Sequence, residues 1–397
     1  MTNKMQPLAV TATTLLSPCG AGSDAILNAM QNNRSGLAQS GYPGLDFNTW
    51  LGRVAGIETH AMEFAFQRYA CRNNRLASQA LGLDGFRDKV STAIATYGAN
   101  RIGVFVGTST SGIEETEIAY REMKSNHERL PESYDFLKTH NIASLLNYVR
   151  LSLGLGGPGQ AISTACSSSA KVFAAAHRHI SCGLCDAAVV GGVDSLCLTT
   201  LYGFNSLQLV SGEICRPFDA QRNGINIGEA AGFVLLEKPD HGRGMVKLKG
   251  YGESSDAYHM SSPHPDGEGA ALAMHAALQR ADLSAQEIDY VNLHGTATPS
   301  NDAAEGAGVS RIFGQQVACS STKGYTGHTL GAAGISEAII SILALKNDFM
   351  PGTLNLQQAD EAIAIRPLQE NRAGALANVM SNNFGFGGSN CSLIFGW

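Results

Sequence analysis

Ile162-Ser-Thr-Ala-Cys-Ser-Ser-Ser-Ala170 joins an extended apolar stretch to a helix that runs from Ser167 to about residue 181. That helix is Ala-rich, and its first free N–H groups and positive dipole end face Cys166. The placement predicts a lowered thiol pKa and a nucleophilic cysteine. A free cysteine that merely fills core space is the plainer alternative, but a turn of three serines on a helix start is a poor place for a core plug. The same order of strand, reactive polar turn and Ala/Gly-rich helix recurs at residues 318–334, so the chain reads as a duplicated α/β unit with both turns at one seam.

Working outward, apolar β-rich runs at 8–16, 101–106 and 187–190 read as strands, and 24–32, 66–81 and 167–181 read as helices. A second series follows: strands at 245–252, 288–294, 317–321, 377–381 and 392–395, and helices at 267–281, 302–313 and 334–345. The alternation predicts a parallel or mixed sheet covered by helices. The halves are expected at 1–244 and 245–397, with 238–244 only a turn between them. Residues 121–140 read as a surface insertion with a helix.

Composition narrows the function classes. A 397-residue chain with 16% charged and 44% hydrophobic residues is built like a compact enzyme rather than a disordered or fibrous chain. A formal charge of −6 argues against general nucleic-acid binding. The nine cysteines are irregularly spaced and odd in number, which fits reduced thiols in a cytoplasm better than a disulfide framework. Residues 8–16 are too short and too broken by threonines for a signal core, and no segment is expected to reach the length of a membrane span.

Three downstream segments could serve a cysteine nucleophile: Asn292-Leu-His-Gly-Thr-Ala-Thr-Pro299, Ser321-Thr-Lys-Gly-Tyr-Thr-Gly-His328, and Asn383-Phe-Gly-Phe-Gly-Gly-Ser-Asn390. His294 caps the carboxyl end of a strand, where open α/β sheets bind ligands, though alone it could be a satisfied core histidine. His328 lies in a glycine turn before a helix. Lys323 in so apolar a neighbourhood needs a carboxylate, and Glu305 is the candidate partner. Residues 385–389 carry too little side chain for a core, yet their amides can approach a substrate and complete an oxyanion hole with the Cys166 amide; a plain turn between strands is the alternative. Gly154-Leu-Gly-Gly-Pro-Gly159 fits GxGxxG but lacks the following helix, and Cys182-Gly-Leu-Cys185 has no second pair for zinc. No metal or cofactor site is expected.

Cys166, His294 and His328, with Lys323, Glu305 and the loop at 385–390, resemble the β-ketoacyl-acyl-carrier-protein synthases of the elongating type. Arg216-Pro-Phe-Asp219 and Ser254-Ser-Asp-Ala-Tyr-His-Met-Ser-Ser-Pro263 extend the resemblance over essentially the whole chain. It implies a thiolase-like fold of duplicated α/β/α/β/α layers, no cofactor, and a homodimer or a heterodimer with a ketosynthase-like chain-length factor. The implied reaction is a Claisen condensation. Cys166 takes an acyl group from acyl carrier protein, the Cys166 and Phe386 amides form the oxyanion hole, and His294 and His328 assist decarboxylation of malonyl-carrier protein. Lys323 with Glu305 would orient the histidines, and Gly385, Phe386, Gly387 and Gly388 would form a gating loop.

Gly107-Thr-Ser-Thr-Ser-Gly-Ile113, Cys71-Arg-Asn-Asn-Arg75 and Gly224-Ile-Asn-Ile-Gly-Glu-Ala-Ala-Gly232 are similar to the synthases of aryl-polyene pigment clusters. Housekeeping fatty-acid elongation is the rival. A non-catalytic chain-length subunit would lack the nucleophile that stands here. The family's basic residues before the helix at 66 are replaced by His60-Ala-Met-Glu-Phe-Ala-Phe66; Arg68, Arg72 and Arg75 form an expected helical stripe instead, open to an acidic carrier or simply a solvated face.

Overall fold

The computed structural model describes residues 4–39, 41–126, 129–238 and 244–397. In the first half the main elements are β1 (Leu8–Ser17), α1 (Arg72–Leu81), α2 (Phe86–Tyr97), β2 (Ile102–Gly107), α3 (Ala143–Leu153), β3 (Gly159–Ile162), α4 (Ser168–Ser181), β4 (Ala187–Asp194) and β5 (Ala230–Glu237). The second half repeats the pattern with β6 (Lys247–Ser255), α5 (Glu268–Ala281), β7 (Tyr290–Leu293), α6 (Pro299–Phe313), β8 (Ala318–Ser321), α7 (Ala333–Asn347), β9 (Asn378–Gly385) and β10 (Ser389–Gly396).

These strands run in the spatial order β8-β7-β9-β10-β6-β1-β5-β4-β2-β3. Read outward from the centre, the halves match strand for strand. β1, β5 and β4 are antiparallel neighbours and β4, β2 and β3 parallel ones; β6, β10 and β9 are antiparallel and β9, β7 and β8 parallel. The halves meet through a short antiparallel contact, Leu8 opposite Leu248 and Ala9 opposite Lys247.

The layers follow from which faces are apolar. β2 and β4 are buried along their whole length, as strands covered on both sides must be. α7 is buried from Ala333 to Leu345, all round rather than on one stripe, because it lies between the two half-sheets, against β9 on one side and β5, β4 and β1 on the other. α4 shares this middle layer and touches β2, β4, β6 and β10. The two central helices approach so closely that a Cβ on Gly334 would stand 2.4 Å from the Ala170 amide nitrogen. α1, α2 and α3 cover the outer face of the first half-sheet, and α5, with α6 packed on it, covers that of the second. This gives the expected α/β/α/β/α layering.

Several sequence expectations change. Leu330–Asn347 is an 18-residue helical stretch apolar enough to span a membrane, contrary to the expectation that none exists; its residues are 89% buried in the protein core, which accounts for their character. Residues 239–243 of the turn expected between the halves lie outside the described residues, as do 127–128 of the expected insertion; the helix there is Ile113–Asn126, mostly ahead of residue 121. α2, α3 and β5 had no counterpart in the pattern reading.

The helix expected over 66–81 is also two pieces, a 3-10 segment at Phe64–Tyr69 and α1, separated by the extended residues Ala70 and Cys71. This breaks the arginine stripe. Arg68 points to solvent and pairs with Asp135 at 2.6 Å, Arg75 is half-buried, and Arg72 is only 5% exposed. The Arg72 guanidinium grips Glu229 with two hydrogen bonds of 2.7 and 2.6 Å and Glu58 with a third of 2.8 Å. Glu229 in turn accepts the Val54 and Leu196 amides. Arg72 is therefore a structural cross-link and not a docking residue. Arg72→Ala leaves Glu229 charged and buried without its partner, so denaturant melts should show a loss of about 3–5 kcal/mol. Arg68→Ala, losing an exposed pair, should cost less than about 1 kcal/mol.

Candidate active site

Cys166 sits one residue ahead of the cap of α4, in a turn that Ala165 enters with φ +53°. The serines fix this turn rather than fill a core: the Ser168 hydroxyl accepts the Thr164 amide and donates to the Ala165 carbonyl, and the Ser167 hydroxyl donates to the Thr164 carbonyl. The turn delivers the sulfur to the seam between the halves. Its Sγ lies 2.9 Å from His328 Nε2, and the Phe386 amide of the glycine loop after β9 is near enough to favour its ionised form.

The second half supplies the rest. His294 directly follows β7, and His328 is bonded through its own amide to the Asn226 carbonyl and through its carbonyl to the Gly228 amide. The rings of His294 and His328 meet edge to face with centroids 5.3 Å apart. Cys166 Sγ and one nitrogen from each ring all lie within 4.8 Å of one another.

Hydrogen bonding sets both tautomers. The Leu330 amide donates to His328 Nδ1 at 3.3 Å, and Lys323 Nζ stands 3.3 Å from His294 Nδ1. With Nδ1 serving as acceptor on both rings, each Nε2 carries the hydrogen. Such rings offer N–H donors to the cavity, which suits a carbonyl or enolate oxygen better than a metal ion, and the adjacent Lys323 ammonium disfavours a further cation.

Lys323 is 1% exposed and finds its carboxylate in Glu337, not in Glu305 as the sequence suggested. It also donates to the His294 carbonyl. Glu337 is held on its other oxygen by the Asn383 side chain. Glu305 lies beneath the turn after β7, where its two oxygens accept the His294 amide at 2.8 Å and the Gly295 amide at 2.7 Å. It therefore fixes the backbone that carries His294. Sequence reasoning missed Glu337, although one signal was available: it is the only acid in the largely apolar α7.

The electrostatics follow from burial. Both imidazoles are held well below the ordinary histidine range, first by burial and then by the Lys323 charge, so both are neutral at pH 7. Burial pushes Glu305 up to about 8 against the pull of its two amide donors. The Cys166 thiol is also pushed up, to about 11, by burial; the Lys323 charge and the Phe386 amide pull the other way and lose. The lowered thiol pKa expected from the helix start is thus not found, since desolvation of a thiolate outweighs the favourable donors.

The cavity at this point is small, about 50 Å³, and is bounded by Cys166, His294, His328, Phe204, Phe384 and Phe386 among others. The Phe386 ring leans on Phe204 with centroids 5.5 Å apart.

A family model described as the β-ketoacyl synthase N-terminal domain matches residues 46–241, and one described as its C-terminal domain matches residues 245–357. The chain belongs to the β-ketoacyl synthase family. Among this family's members, the 3-oxoacyl-[acyl-carrier-protein] synthase 2 of Vibrio cholerae serotype O1 is 34% identical over 97% of this chain and 98% of its own length. Two solved β-ketoacyl synthase-type structures are also similar over nearly the full chain. The ketosynthase ApeO of Xenorhabdus doucetiae, in complex with its chain length factor ApeC, has a TM-score of 0.90 and 37% identity, covering 98% of each chain. A β-ketoacyl synthase from Burkholderia phymatum STM815 has a TM-score of 0.86 and 29% identity, covering 99% of each chain.

Two consequences of the charge states are measurable. Alkylation of Cys166 by iodoacetamide, read by intact mass against Cys166→Ala, should accelerate about tenfold per pH unit from pH 7 to pH 10; a plateau in that range would mean a resting thiolate. Below about pH 6.5 the unfolded chain binds protons on His294 and His328 that the folded chain refuses. These two rings therefore cost stability as pH drops from 7 to 5, against the opposite contribution of Glu305, which the folded chain protonates first; in thermal melts His294→Gln should lose less stability, or gain more, than wild type over that range.

Proposed function

We propose that this chain elongates carrier-bound acyl groups by decarboxylative Claisen condensation with malonyl-acyl-carrier protein. The observation that carries the reading is the convergence on one small cavity of a helix-start sulfur and two neutral imidazoles whose Nδ1 atoms are already occupied. In the first step the Cys166 sulfur attacks the acyl thioester of the carrier protein, and the carrier thiol leaves with the proton that Cys166 gives up. The Cys166 and Phe386 amides hold the tetrahedral oxyanion.

Malonyl-carrier protein then enters. Its thioester oxygen accepts hydrogen bonds from the Nε2–H groups of His294 and His328, carbon dioxide departs, and the bonding pair is left as an enolate held by those donors. The enolate carbon attacks the acyl group on Cys166, and collapse of the new oxyanion breaks the carbon–sulfur bond and expels the sulfur as a thiolate, which takes a proton from solvent to restore the resting thiol. Burial, helped by the Lys323 charge, keeps both imidazoles unprotonated, and Glu305 and Glu337 hold the backbone and the ammonium in place. Gly385, Phe386, Gly387 and Gly388 act as the gate: the Phe386 amide faces the free sulfur, and an acyl group on that sulfur displaces the loop.

The motifs at residues 107–113, 71–75 and 224–232 favour an aryl-polyene or related polyketide role. The 34% identity to a 3-oxoacyl-[acyl-carrier-protein] synthase 2 supports the second reading, fatty-acid elongation. β3 is an edge strand whose residues are exposed or half-buried, with β2 on one side and no neighbour on the other among the described residues. A second ketosynthase-like chain, either a copy or a chain-length factor, is the occupant that fits it. With Arg72 buried, carrier docking falls to Arg68 and to surface shared with that partner. The nine unpaired cysteines fit a reducing cytoplasm.

Intact mass after incubation with acyl-carrier protein should register one added acyl group, absent in Cys166→Ala; acylation of that variant would remove Cys166 as the nucleophile. His294→Ala and His328→Ala should still load while carbon dioxide release from malonyl-carrier protein falls by about 100-fold or more. Equal loss of loading and release in folded protein would refute the role given to the imidazoles.

A further inference from the structure

We infer that Asp194 is a positioning residue for His328, acting through the turn at Leu330–Ala332. The inference rests on the decarboxylating role given above to His328. Asp194 ends β4 and is 0% exposed, and among the described residues no cation forms an ion pair with its carboxylate. Its charge is met entirely by uncharged donors. Oδ1 accepts the Thr108 hydroxyl at 2.7 Å, the Ser109 amide at 2.8 Å, and the Thr110 amide and hydroxyl at 2.9 and 2.8 Å. Oδ2 accepts the Ser109 hydroxyl and, from the other half of the molecule, the Gly331 amide.

The Gly331 amide is bracketed by a second acceptor, the Ser109 hydroxyl at 3.1 Å. Its carbonyl is held as well, by the hydroxyl of Ser169, which also accepts the Ile335 amide. Ser169 lies on α4, three residues beyond Cys166. One peptide turn is therefore clamped at both ends to the nucleophile's half. A side chain cannot be accommodated there, since a Cβ on Gly331 would lie 2.7 Å from Asp194 Oδ2 and 2.8 Å from the Ser109 nitrogen.

The residue just before the clamp, Leu330, has φ +55°, a conformation that a branched side chain adopts only when its surroundings impose it. In that conformation its amide reaches His328 Nδ1. Without this donor the imidazole could carry its hydrogen on Nδ1, leaving Nε2 a lone pair that would face the enolate oxygen with repulsion. The Asp194 carboxylate thus acts on the reaction at one remove: it anchors Gly331, Gly331 holds Leu330 in its left-handed turn, and Leu330 fixes the ring.

The test compares the full-length wild type with Asp194→Asn and, separately, Ser109→Ala. Each is read for acyl loading of Cys166 by intact mass, for carbon dioxide release from malonyl-carrier protein, and for the 15N spectrum of histidine-labelled protein with His328 assigned through His328→Gln. Asn keeps the shape of Asp but turns an NH2 group toward amide donors. Release should fall about 100-fold in Asp194→Asn and about tenfold in Ser109→Ala, with loading reduced by less than about fivefold. His328 should pass from a single tautomer protonated on Nε2 to a mixture.

Unchanged release in a folded variant, a fall shared equally by loading and release, or an unchanged His328 tautomer would overturn the inference. Should Asp194→Asn fail to fold, Ser109→Ala decides alone. A wild type that releases no carbon dioxide would instead sink the functional reading, and the tautomer comparison would then decide the role of Asp194.

Discussion

A single buried ammonium organises the centre of this molecule. Lys323 is almost completely sequestered, and a cation removed from water must be met on every side by acceptors. Glu337 comes from α7, the His294 carbonyl and Nδ1 from the end of β7, and Asn383 steadies Glu337 from β9. Satisfying one charge thus fixes the relative positions of three elements and of the His294 ring. The same charge opposes protonation of both imidazoles and, across the seam, favours ionisation of the Cys166 thiol, though too weakly to overcome its burial. Had the position carried a neutral residue, the histidines would lose the field that helps keep them uncharged, and Glu337 would be left as an unpaired buried acid.

The duplicated topology explains why such a centre can be built at all. Each half carries its parallel strands at its own outer end of the sheet, and α4 and α7 start side by side in the layer between the halves, Gly334 against Ala170. The two helix starts have diverged. The first presents a tight serine turn with Cys166 at its tip, and the second a longer polar turn with Lys323 and His328. The seam between the copies, rather than either copy, holds the cavity, so each half brings what the other lacks: the thiol from one, the imidazoles and the charge from the other. Asp194 and Ser169 in the first half, bound to Gly331 in the second, hold that alignment.

Much of this was legible in the chain. The repeated order of strand, polar turn and small-residue helix announced the duplication, and residue type with spacing was enough for Cys166, His294, His328, Lys323 and the glycine loop. What could not be read was partner choice. Sequence separates Glu305 from Glu337 as the partner of Lys323 only by the lone acid of α7, since both are acids on helices, and the packing of α7 against β9 decides. Arg72 was misplaced for a related reason: a helical stripe from 68 to 75 presumes an unbroken helix, and the extended Ala70 and Cys71 turn Arg72 inward onto Glu229. The thiol pKa was misjudged because a helix start is visible in sequence while the depth of burial is not.

The charge states that result have a chemical logic for carbon–carbon bond formation. A malonyl thioester carries its negative charge on the carboxylate before carbon dioxide leaves and on the thioester oxygen afterwards. A cationic imidazolium would attract the carboxylate and stabilise the reactant as well as the enolate, which lowers no barrier. Neutral N–H donors aimed at the thioester oxygen respond to charge only where it develops. The resting sulfur obeys the same rule: a buried permanent thiolate would repel an incoming carboxylate and expose a strong nucleophile between turnovers, whereas a thiol held near an imidazole and an amide can shed its proton as the acyl group arrives. Burial, which would ordinarily count against an active site built from ionisable groups, is what leaves these three groups uncharged and therefore selective for the transition state.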